Sequence, residues 1–73
     1  METVAVLGER AQIQGYALVG ALPLVAETAE QVRDEWGRLP PGVRVVVLTP
    51  AAAAALSAAR EAPGAAMTVV MPA

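Results

Sequence analysis

The chain has no cysteine and no histidine. Without cysteine no disulfide can staple the fold, and cysteine usage says nothing of the redox compartment. With both residues absent, the usual zinc and transition-metal ligand sets cannot be assembled. Lysine is also missing: all five cations are arginines, at Arg10, Arg33, Arg38, Arg44 and Arg60. They are scattered, so no basic stripe follows a phosphate backbone, and nucleic acid is not an expected partner. The single serine, Ser57, has no histidine to act as its base, which argues against acyl-transfer chemistry.

Long apolar runs are missing too. The longest uncharged stretch, Ala11 to Ala26, contains Gln12, Gln14, Gly15 and Pro23. It falls short of the ~18 apolar residues of a membrane span. The start, Met1-Glu2-Thr3, lacks the cationic opening of a secretory signal. Hydrophobic residues make up 56% of the chain, largely through alanine, a weak hydrophobe. We therefore expect a cytoplasmic protein without direct membrane insertion.

The 73 residues allow one domain, 1–73, of modest stability, since a chain this short buries only ~60% of its unfolded surface. Val4-Ala5-Val6-Leu7 is a short apolar run ended by Gly8, bounded like a strand with both faces covered. Glu9 to Val19 reads as a helix closed by Gly20. Gly15 inside it costs about 1 kcal/mol relative to alanine and marks close packing or a late helix start. Ala21 to Val25 is apolar again, and Pro23 assigns it to a sheet edge.

Thr28 and Gln31 fit a capping box at the start of the clearest helix. Ala29, Val32, Trp36 and Leu39 line one of its faces, and charged residues take the other. Asp34 and Glu35 lie on that solvent face near Arg38, which favours a hydrated surface over a catalytic acid pair. Trp36 sits on the apolar stripe, so core packing is its expected role. Pro40-Pro41-Gly42 stops the helix. Val43 to Leu48 is the best central strand. Thr49-Pro50 then caps a helix over Ala51 to Arg60, with Ser57 inside it, and Met67 to Met71 forms a last strand.

The order β-α-β-α-β-α-β with short connections predicts an α/β fold. We expect a parallel sheet in the order 2-1-3-4, helices on both faces, and a Rossmann-like or receiver-like topology. Ligands of such sheets sit at the strand carboxyl ends, where Gly8-Glu9 and Thr49-Pro50 fall. Neither pair resembles a phosphate cradle, and there is no G-x-G-x-x-G or P-loop lysine. Gly8-Glu9 is better read as strand-to-helix turn chemistry. A phosphorelay receiver needs a phosphoacceptor Asp after its third strand, an acidic pair after its first and a lysine after its last. Here those places hold Leu48-Thr49, Gly8-Glu9 and Met71-Pro72. The fold analogy survives and the chemistry does not. No cofactor is expected.

Val4-Ala5-Val6-Leu7-Gly8-Glu9, followed by Gly15-Tyr16, Leu18 and Gly20, resembles the opening of the F-subunit family of the V-type and A-type rotary ATPases. That family opens with an apolar strand, Gly-Asp, then Gly-Phe-x-Leu-x-Gly. Here Glu9 replaces the Asp and Tyr16 the Phe, at the same spacing. Val45 to Thr49 resembles its third strand with the terminal Thr, and Thr68 to Pro72 its fourth. The resemblance implies a non-catalytic central-stalk component that binds the coiled-coil shaft and influences coupling. The family continues past its fourth strand into a segment with a helix, whose regulatory role does not carry over to a chain stopping at Ala73. The alternative is a stand-alone protein-binding module with the same fold.

Topology carries one more expectation. Helices two and three share a face, and the first helix covers strands 1 and 2 on the other. One face of strands 3 and 4 is then bare, and Met67, Thr68, Val69, Val70 and Met71 form an edge without charge or proline. The isolated chain should self-associate through that edge or that face, and a partner should occupy the same surface in the cell.

Overall fold

The computed structural model describes residues 3–17 and 20–72, with Tyr16 and Ala17 described in backbone only. Strand β1 runs Thr3–Gly8, helix α1 Arg10–Ala17, β2 Leu22–Val25 and α2 Ala29–Gly37. Then come β3 (Val43–Leu48), α3 (Pro50–Leu56), a 3₁₀ turn (Ser57–Glu61) and β4 (Met67–Val70). The strands are all parallel and lie in the order β2-β1-β3-β4, as the alternating pattern predicts. β1 and β3 lie at the centre, and their apolar runs are fully covered on the α2/α3 side.

Backbone alternation explains the position of Pro23. The Ala26 N–H donates to Gly8 O at 2.9 Å, so Ala26 faces β1. Successive residues of a strand face opposite ways, so Pro23 turns its missing donor outward, where no bond is lost.

The larger core fills the α2/α3 side of the sheet. Ala5, Leu7, Val46 and Leu48 from the strands meet Val32 of α2 and Ala52, Ala53 and Leu56 of α3. Alanine at 52 and 53 brings the α3 backbone close to β1 and β3, which a larger side chain would prevent. Trp36 and Leu39 pack half-buried against this cluster, but Ala29, expected on the same stripe, is exposed. On the α1 side the core among the described residues consists of Val6, Ile13, Ala21 and Met71, flanked by Val25 and Val47.

Several boundaries differ from the sequence reading. α1 begins at Arg10, and the end placed at Leu18 and Val19 lies outside the described residues. Gly20 has φ 90°, a left-handed geometry that favours glycine. Gly15 marks neither expected feature: α1 starts five residues earlier, and a Cβ built at Gly15 meets nothing within 4 Å. The helix expected over Ala51–Arg60 breaks at Ser57, whose φ of 48° and ψ of −125° leave the helical region. Helix propensity alone does not show this break, because the return to β4 imposes it.

Candidate functional site

In an open α/β sheet the crevice for a ligand opens where successive crossovers diverge, here between the carboxyl ends of β1 and β3. The chain fills that place itself. Thr49 is fully buried there. Its hydroxyl donates to Glu9 Oε1 at 2.6 Å and accepts from the Ala52 N–H at 3.2 Å, capping α3. Its own N–H donates to Leu7 O at 3.2 Å. Gly8 allows the approach: a Cβ at that position would collide with the Cβ, Cγ2 and Oγ1 of Thr49. The pairing of Gly8-Glu9 with Thr49 therefore joins the two central strands and the starts of two helices.

The other helix starts are satisfied in the same way. Glu9 O accepts from the N–H groups of Gln12 and Ile13, and Glu27 Oε2 accepts from the Arg10 N–H at 3.0 Å. Thr28 Oγ1 accepts from the Gln31 N–H at 3.1 Å, as the capping box predicts. The reciprocal bond differs by one residue: Gln31 Oε1 accepts from the Glu27 N–H at 2.7 Å. At α3, Pro50 has no N–H to offer and Ala52 is taken by Thr49. At each of these helix N-termini, the natural anion sites of such folds, the protein's own oxygens take up some of the donors.

What remains of the crevice is a cleft of about 170 Å³ bordered by Glu9, Ala26, Glu27, Thr28, Ala29, Val32 and Ala51. Small-molecule sites start near ~300 Å³ and present convergent polar groups. Here the two carboxylates, Glu9 and Glu27, are already bonded within the chain and would repel phosphate. Among the described residues no three histidine, cysteine, aspartate or glutamate side chains gather to hold a metal. Asp34 lies exposed, and Glu35 pairs with Arg38 at 2.8 Å on the outer face of α2, as expected of a hydrated surface.

The exposed apolar surface lies elsewhere. Register aligns Val4, Val45 and Met67 in one row on the α1 side, and Val6, Val47 and Val69 in the next. α1 covers the β2 end of these rows and leaves the β4 end open. Val4 is 42% exposed, Met67 68% and Val69 50%, while Val45 and Val47 are half-buried. Val70 points to the opposite face, next to Leu48 in register, and is 42% exposed at the edge. The expected edge is corrected at its end. Met71 lies just past β4, still bonded to Leu48 O, and is only 7% exposed, because its side chain joins Val6 and Ile13 in the core on the α1 side. The bare region is thus the α1 side of β4 and the adjoining β3, up to Met71. Val4, which completes it, was legible only through its register with Val45.

Of the motif residues, Gly8, Glu9 and Thr49 come together, while Gly15 and Gly20 lie exposed along the α1 side. The Tyr16 side chain and Leu18 fall outside the described residues. No helix among the described residues is long and apolar enough to cross a membrane. Compared with protein-family models the chain matches none, and no curated protein matches it.

Proposed function

We propose that this chain is a non-catalytic, protein-binding component that docks its partner on the exposed α1 side of β3 and β4. The observation that carries the reading is the contrast between the two surfaces. The crevice where this fold binds small molecules is closed by Gly8, Glu9 and Thr49, whereas Val4, Met67 and Val69 stand exposed beside half-buried Val45 and Val47. Parallel sheets are normally covered on both faces, so a bare pair of strands calls for an external cover.

The partner is named by the motif spacing, Gly8-Glu9 with Gly15-Tyr16-x-Leu18-x-Gly20, and by that alone. It points to the central stalk of a V/A-type proton-translocating ATPase or ATP synthase. In this reading the chain is cytoplasmic, held at the membrane periphery by the complex, and binds the coiled-coil shaft. A stand-alone interaction module would use the same face with a different partner. Co-purification of the tagged chain from its source organism separates the two: recovery of the shaft protein supports the rotor reading. Recovery of the intact ATPase shaft without this chain would refute it.

A further inference from the structure

The two edges of this sheet are treated differently. On β2 the outward-facing position Pro23 has no N–H to offer a neighbour. On β4 the opposite holds. The Met71 N–H donates to Leu48 O at 2.8 Å, so the odd-numbered residues face β3, and Thr68 and Val70 turn their N–H and C=O groups outward. No proline interrupts β4, and no charged side chain lies between Ala62 and Ala73. Within β4, two of the usual devices that keep a sheet edge single, proline and charge, are absent.

We propose that β4 pairs with β4 of a second copy, antiparallel about a two-fold axis, to form one eight-stranded sheet. The outward residues determine the register. Thr68 of each copy meets Val70 of the other as hydrogen-bonded pairs, four bonds in all, and Val69 faces Val69 on the axis. This register also matches the faces: Thr68 and Val70 lie on the α2/α3 side, aligned with Val46 and Leu48, and Val69 on the α1 side, aligned with Val47. A second copy fits better than a foreign strand because the edge is self-complementary, and no charge on it would oppose its own image across the axis. An antiparallel pair added to a parallel sheet is a common arrangement. The inference does not depend on the rotary-ATPase reading, since it uses the edge of β4 and not the bare face.

The test is sedimentation equilibrium of the 73-residue chain from micromolar concentration upward, beside the variant Thr68→Pro. Proline at 68 removes an outward donor and no bond to β3, so the monomer fold remains while the pairing is blocked. The expected result is a dimer for the native chain and a monomer with an unchanged circular dichroism spectrum for the variant. Hydrogen exchange on the native chain gives a second reading. The amides of Thr68 and Val70 should slow by roughly tenfold or more as concentration rises through the transition, with those of β1 unchanged. A native chain that stays monomeric overturns the proposal. So does a dimer that survives Thr68→Pro, which would place the contact on the bare face. If the variant does not fold, concentration-independent exchange at Thr68 and Val70 overturns it as well.

Discussion

Thr49 combines three bonds in a site with no solvent, where Gly8 has no side chain to interfere. Gly8→Ala places a methyl group where Thr49 already stands. Overpacking of this kind costs about 1–3 kcal/mol, a large share of the stability of a domain this small. A lower midpoint in urea denaturation would register it. Thr49→Val keeps the shape but leaves the Ala52 N–H without its cap and Glu9 without its donor. The expected loss is about 1–2 kcal/mol. Thr49→Ser, which keeps both bonds, should lose less by the same assay. Equal losses would mean that the methyl group and not the hydroxyl matters. The sequence showed Gly8, Glu9 and Thr49 as separate turn and cap residues. Their meeting became visible only with the pairing of β1 and β3, because Thr49 lies 40 positions from Glu9 in the chain.

At the scale of elements, strands and caps were readable because local chemistry determines them. Pro23 assigned β2 to an edge, Thr28 started α2, and Thr49-Pro50 started α3. The end of α3 was not readable. Ala51 to Arg60 has helix-forming composition throughout, yet the helix stops at Leu56 and Ser57 takes a left-handed φ. The chain must turn there to bring Met67 beside Val45, and that demand belongs to the sheet. A non-glycine residue in such a conformation costs of order 1–3 kcal/mol, against which glycine's greater freedom in the unfolded chain weighs less. Ser57→Gly should therefore raise stability by about 1 kcal/mol, read as a higher thermal midpoint. A lower midpoint would show that Ser57 is not strained.

At the scale of the whole molecule, strand order follows from the direction of the crossovers, which the alternation of elements and the edge proline together determine. The uneven covering of the sheet follows from that order. One helix on the α1 side spans β1 and β2 and leaves β3 and β4 to Met71 and to solvent. The extent of cover by Met71 was not legible, since it depends on where Ile13 of α1 and Val6 of β1 come to lie at the carboxyl end of the sheet. The exposed rows remain as the surface on which the proposed docking rests. Met67 is the sensitive probe because it is 68% exposed, so a charge there disturbs the fold little. The most direct measurement is titration calorimetry of the ATPase shaft protein into the native chain and into Met67→Glu, with thermal midpoints recorded for both. The prediction is binding by the native chain and a loss of about tenfold or more in the variant, some 1.4 kcal/mol, at an unchanged midpoint. Equal affinity for the two chains, or no heat of binding from the native one, would contradict it.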